Sequence, residues 1–149
     1  MSKTLTLMLF GALILSACGG EPEDTRPGQP VAHRRAAFKE ILKVSEPMGV
    51  MLRDDTYEAK RFGALAGQLM TLRDSPWSHF APDTQYPPSH AKDEVWKNPE
   101  QFAADKRAFF EATDRLAAIG STADKKQAAA TYKLLEDACR NCHKHFKRD

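Results

Sequence analysis

Close to the C-terminus the chain places two thiols and an imidazole in the order Cys139-Arg140-Asn141-Cys142-His143. A thiol can add to a vinyl group to give a thioether, and an imidazole nitrogen can bind iron. Residues three apart share one face of a helix, so both sulfurs can reach one edge of a flat macrocycle. The histidine that follows directly can swing its ring beneath that macrocycle. Cys-x-x-Cys-His is the pattern of covalent c-type haem attachment. The sequence therefore predicts one covalent haem c, anchored by Cys139 and Cys142, with His143 as the axial ligand of the iron. Other chemistries fit less well. A structural zinc site needs four ligands, and this cluster offers two cysteines with His143 and His145. Those two histidines stand two apart and point in roughly opposite directions on a helix. A redox dithiol would sit beside a βαβ pattern, and no credible strand is found. A haem-free thiol or metal module built on Cys139 and Cys142 is the alternative.

The 149 residues give room for one domain. The formal net charge of +2 is too small to argue for nucleic acid or an anionic membrane surface. Of three cysteines, Cys18 lies outside the motif. Lys3 is the only charge before it, and residues 4–15 form an apolar run of signal-peptide length, too short to span a membrane. The run ends in Leu15-Ser16-Ala17-Cys18, which resembles a bacterial lipoprotein box. The resemblance implies a signal peptide over 1–17, cut before a lipidated Cys18. A plain secretory signal with a stray cysteine is the alternative. Several acyl chains on one residue anchor a protein stably. Haem is attached outside the cytoplasm in bacteria, so both ends of the chain point to the periplasm. Gly19, rather than Asp, favours the outer membrane under enterobacterial sorting. Residues 18–30, rich in Gly and Pro, read as the lipidated cysteine and a flexible tether. The haem domain is then 31–149.

Four helical segments must position the motif. The first covers 31–53, where Arg34, Phe38, Ile41, Ser45, Met48 and Leu52 recur at helical spacing. Arg34 is the odd charge on that stripe, and Pro47 should kink or break the helix. The second covers 56–73, with Asp55 as N-cap and Glu58 three positions on. Gly63 and Gly67 offer a smooth face for close helix approach or merely weaken the helix. Residues 74–98 form a long connection carrying Trp77, Phe80 and Trp96, expected to pin it over the end of a bundle. Asn98-Pro99 opens the third helix, and Gly120 ends it. The fourth covers 122–147, with Ala128, Tyr132, Leu135, Cys139, Cys142 and Phe146 on one stripe. The anchoring sulfurs thus occupy core-facing positions. The prediction is an all-α antiparallel four-helix bundle with a covalent haem in its core.

From residue 31 onward the sequence resembles the cytochrome c′ family. The resemblance rests on Val31-Ala32-His33-Arg34-Arg35-Ala36-Ala37-Phe38, on Pro76-Trp77-Ser78-His79-Phe80-Ala81-Pro82-Asp83-Thr84, and on Glu94-Val95-Trp96. Phe102, Phe109 and the C-terminal position of the haem motif complete it. It implies that Arg34 lies near the haem propionates and that Arg35 stands where the family often has a haem-approaching Gln. Phe38 takes the distal position that covers the iron. Lys147 takes the place of a basic residue beside the proximal face, where many members carry Arg. It also implies frequent homodimers through the first two helices.

Phe cannot ligate iron, and Met48 lies ten residues on, about 15 Å along the axis. The expectation is five-coordinate, high-spin iron in an apolar distal pocket. Such a pocket disfavours stable O₂ and lets NO or CO enter by displacing Phe38. Two roles suit it, one-electron transfer to an unspecified redox partner and reversible NO or CO binding. A low-spin carrier of the c556 type with an unforeseen sixth ligand is the alternative. A peroxidase-like enzyme needs a distal acid or base, and Phe38 supplies none.

Overall fold

The computed structural model describes residues 22–148. The expected signal peptide and Cys18 lie outside the described residues. Five α-helices follow in order: α1 (Pro30–Arg53), α2 (Ala59–Leu72), α3 (Glu94–Lys97), α4 (Pro99–Ile119) and α5 (Lys125–Phe146). A 3₁₀ turn, Trp77–His79, lies between α2 and α3. The four long helices form the expected four-helix bundle. α1 packs on α2, α2 on α4, and α4 along α5. The core joins Ile41, Val44, Met48 and Met51 of α1 with Phe62, Ala66 and Leu69 of α2. Phe109, Ala112 and Leu116 of α4 and Ala128, Leu135 and Ala138 of α5 complete it. Direct contact between α1 and α5 is sparse.

Several helix ends differ from the sequence expectation. α1 runs unbroken through Pro47. Proline removes one backbone donor there, but buried Val44 and Met48 hold the turns on either side. Asp55 is not the N-cap of α2. It lies in the left-handed region at φ 56°, and the following amide, Thr56 N–H, donates to the Met51 carbonyl at 3.1 Å. That is the Schellman termination of α1. Glu58 is the N-cap residue of α2, with no side-chain capping bond. At α5 the cap is Asp124, whose carboxylate accepts from Gln127 N–H at 2.8 Å. Asn98 precedes Pro99 at the start of α4 as expected, but makes no side-chain capping bond.

The tether expected up to Pro30 is shorter than the composition suggests. Asp24 is 2% exposed. Its carboxylate accepts from the amides of Arg26, Val31 and Ala32 and from the Tyr86 hydroxyl. Two of those amides belong to the first turn of α1, where unpaired donors need partners. Asp24 therefore caps α1 from six residues upstream of Pro30. Burial opposes its charge, but the four donors outweigh burial and hold its carboxyl below the ordinary range. Arg26 stacks its guanidinium 3.9 Å from the centre of the Tyr86 ring.

The long connection is fixed by its aromatics and by the chain end. Trp96 Nε1 donates to the carbonyls of Phe80 and Ala81, and Trp77 Nε1 donates to Arg73 O. Ala91 bridges antiparallel to Lys147. Lys92 N–H donates to Phe146 O at 2.9 Å and Arg148 N–H to His90 O at 2.7 Å. Ala91, Val95 and Phe146 form a second small core beneath this seam.

Gly63 and Gly67 separate cleanly. A Cβ on Gly63 would stand 2.8 Å from Ser121 N and 2.9 Å from Gly120 C, all backbone, whereas one on Gly67 meets nothing within 4 Å. Gly63→Ala should destabilise the fold by forcing α2 off the α4–α5 turn. Gly67→Ala should stabilise it by about 0.5–1 kcal/mol through helix propensity alone. Denaturant midpoints of both variants test this, and equal effects would contradict the packing. For Asp24, a carboxyl held below its ordinary value of 3.8 contributes stability fully present above that value and lost as pH falls through the lower folded value. Asp24→Asn should therefore be less stable than the unaltered protein at neutral pH, with the gap closing as pH falls below the ordinary carboxyl range. A gap that does not change with pH would contradict the charged cap.

Candidate haem site

Where α1 and α5 stay apart, a cavity of about 560 Å³ opens. This lies within the usual range for small-molecule and cofactor sites. Every residue of the described chain singled out from the sequence lines it: Arg34, Arg35 and Phe38 from α1, and Cys139, Cys142, His143 and Lys147 from the C-terminal segment. The 4, 3, 4, 3 spacing of α5 explains half of this. Ala128 and Leu135 are buried in the core, and the same face carries Cys139 and Cys142 to the cavity wall two turns later. Phe102, Phe109, Trp77 and Phe80 supply most of the remaining apolar wall.

Cys139 and Cys142 are not joined in a disulfide. Burial pushes the Cys139 thiol up to about 11, with Glu136 adding to the effect. Burial pushes Cys142 up to about 12, with Asp105 adding. His143 moves the other way, because burial and then Lys147 lower its pKa. His143 is itself exposed, and the lowering favours the neutral imidazole, the form that binds a metal. Among the described residues no group of three or more His, Cys, Asp or Glu is assembled to hold a bare metal ion. His145 does not join His143: its Nδ1 meets Asp105 Oδ2 at 3.0 Å. Two neutral thiols on one helix face, a neutral imidazole beside them and an apolar cavity in front fit a covalently attached macrocycle better than a hydrated ion.

Phe38 stands half-buried in the cavity wall, edge-on to Trp77 at 5.7 Å and to Phe80 at 6.2 Å between ring centres. No described side chain with a ligating sulfur appears in the wall besides the two motif cysteines. Lys39 and Arg35 stand on the same wall, as does His90 from the connection. Lys147 is exposed just past the end of α5, its amide donating to His143 O at 3.0 Å.

Arg34 is 4% exposed and does more than line the cavity. Nη1 donates to His79 O and Thr84 Oγ1, and Nη2 donates to Thr84 O and Ser89 Oγ, at 2.7–3.1 Å. The guanidinium also sits 4.5 Å from the centre of the Phe80 ring. Burial lowers its pKa, while the more distant Tyr86 and Asp24 raise it. Hydrogen bonds to a charged group contribute about 1.5–3 kcal/mol each. Four of them offset a burial penalty of several kcal/mol rather than leave a large surplus. Their main effect is positional, fastening residues 79–89 to α1 beside the cavity.

The sequence reading missed a buried charge in the wall. Asp105 of α4 is 4% exposed, and its carboxylate accepts from Gln101 Nε2 at 2.8 Å and Asn141 Nδ2 at 2.9 Å besides its contact with His145. The signal was present, because Asp105 stands between Phe102 and Phe109 on the apolar stripe of α4, as Arg34 does on α1.

The chain matches the family model described as Cytochrome C′ over residues 29–147. It is similar to cytochrome c′ of Rubrivivax gelatinosus, 30% identical over 124 residues, spanning 82% of this chain and 96% of the relative. The crystal structure of that protein superposes with a TM-score of 0.76 at 29% identity, covering 85% of this chain and all of the other. Cytochrome c prime from Shewanella frigidimarina shares the fold with a TM-score of 0.78 at 23% identity, over 84% of this chain and 98% of its own. A variant of the Alcaligenes xylosoxidans protein solved as a nitric oxide complex also shares it, with a TM-score of 0.76 at 23% identity over 85% and 100% of the two chains. The apolar cavity between α1 and α5, the two thiols and imidazole on its wall, and a match that runs almost from end to end of the bundle agree: the chain belongs to the cytochrome c′ family, whose members carry one covalently attached c-type haem.

Proposed function

We propose that the protein is a mono-haem cytochrome whose iron has one protein ligand and an open, apolar sixth position that takes up NO or CO. The observation that carries this reading is the convergence of Cys139, Cys142, His143 and Phe38 on one cavity. Cys139 and Cys142 would hold the haem by thioethers and His143 would bind the iron. The bound group supplies a one-electron couple and a site for a diatomic ligand. Phe38 closes the distal side. A ligand entering on that side would displace a ring packed against Trp77 and Phe80. Phe38 itself supplies no acid or base at the distal position, which supports binding and electron transfer over catalysis. Arg34, Arg35 and Lys39 are the cationic side chains that α1 brings to the wall; the resemblance assigns Arg34 to the neighbourhood of the propionates and Arg35 to the haem approach, and Lys147 keeps a positive charge beside His143.

The homologous nitric oxide complex noted above supports the gas-binding role. A periplasmic setting follows from the chemistry of haem attachment, and a lipid anchor at Cys18 is the reading of the N-terminal box. No described helix is long and apolar enough to cross a membrane.

The test is an optical titration of the reduced protein with CO and with NO. The unaltered protein should show a high-spin spectrum that changes on gas addition. Phe38→Ala should raise CO affinity. Two aromatic contacts of about 0.5–1.5 kcal/mol each are then no longer broken on entry, which corresponds to roughly tenfold. Phe38→Met should shift the spectrum towards low-spin and weaken CO binding. A sharp low-spin spectrum indifferent to gas, or the same CO affinity in all three proteins, would contradict the distal assignment.

A further inference from the structure

Asp105 is a buried carboxylate with no arginine or lysine among its hydrogen-bond partners. Its three partners come from two helices: Gln101 on its own helix, and Asn141 and His145 on α5. Asn141 is one of the two residues enclosed by Cys139 and Cys142. A pair of bonds from one carboxylate to positions four apart on α5 clamps the segment between them, and Cys142 and His143 lie inside it. Rotation of α5 about its axis would break both bonds, so their geometry sets the face the motif presents. The same carboxylate stands in the cavity wall. Its field reaches the motif, since it is the first charged group among the influences that raise the Cys142 thiol.

We propose that Asp105 is a positioning residue for the haem-attachment segment and that its buried negative charge holds down the reduction potential of the bound haem. This rests on the haem reading given above. The oxidised iron carries one more positive charge than the reduced iron, so a fixed negative charge in a low-dielectric wall favours the oxidised state. The three donors partly neutralise that charge. Removing the charge and removing a donor must therefore act in opposite directions.

The experiment measures the midpoint potential and the covalent haem content of the purified holo-protein and two variants at one neutral pH. Asp105→Asn keeps the size and a hydrogen-bonding acceptor but loses the charge, and its potential should rise. Gln101→Ala removes a donor from an exposed position on α4, leaves the charge less compensated, and should lower the potential. A purely structural role would loosen the site in both variants and move the potential in one direction. Shifts of the same sign, or no shift in either holo-variant, overturn the inference while leaving the haem reading intact. Should Asp105→Asn fail to accumulate, the Gln101→Ala shift decides alone: a fall supports the inference and any other result overturns it. An unaltered protein without covalent haem overturns the proposed function and this inference together.

Discussion

The constraint on which the whole fold depends is the separation of α1 from α5. A cavity of about 560 Å³ runs between them. The helices that flank it must be held apart by something other than their own contacts. The aromatic connection does this from one end. Trp77, Phe80 and Phe102 fill the corner between α1, α4 and α5, and Arg34 fastens that corner to α1. Packing at the far end closes the bundle, where Gly63 lets α2 touch the turn before α5.

Three charged side chains are buried among the described residues, and each holds one joint of this frame. Asp24 ties the start of α1 to Tyr86 in the connection. Arg34 ties the middle of the connection to α1. Asp105 ties α4 to the motif on α5. None makes a direct pair with another buried charge, so each depends on neutral donors or acceptors. Buried ionic groups of this kind give little net stability but fix one geometry, because any other arrangement leaves them unsatisfied. A cofactor pocket needs that property more than it needs extra stability. Apolar contacts alone tolerate sliding, whereas bidentate contacts such as those of Arg34 and Asp105 do not.

The haem motif and its helix were legible because both depend on local spacing. Periodicity alone placed Cys139 and Cys142 on the inner face of α5, and it marked Arg34 as a charge out of place. The partners of Arg34 were not legible, since Thr84 and Ser89 lie 50 and 55 residues away in a segment without periodicity. Asp105 obeys the same rule as Arg34, a charge on an apolar stripe, but the Phe102, Phe109 and Leu116 repeat is complete without it. Asp24 was hidden by composition. A stretch rich in Gly and Pro reads as a tether unless one knows that an amide pair waits seven and eight residues ahead. Asp55 was misread because Asp suits both a helix start and a left-handed helix end, and only the close approach of Thr56 N–H to Met51 O decides between them. The family resemblance supplied what neither spacing nor composition carries, namely the distal role proposed for Phe38.

The measurement that tests the account most directly is the mass of the denatured protein after expression with a haem-attachment system, read alongside a haem stain of the same denatured sample. The account predicts that one haem stays with the chain through denaturation. Replacing Cys139 and Cys142 together with Ala should abolish it. A chain that runs at its bare mass with both cysteines free, or one that keeps its haem after both are replaced, would contradict the assignment of the cavity between α1 and α5 as a covalent haem site.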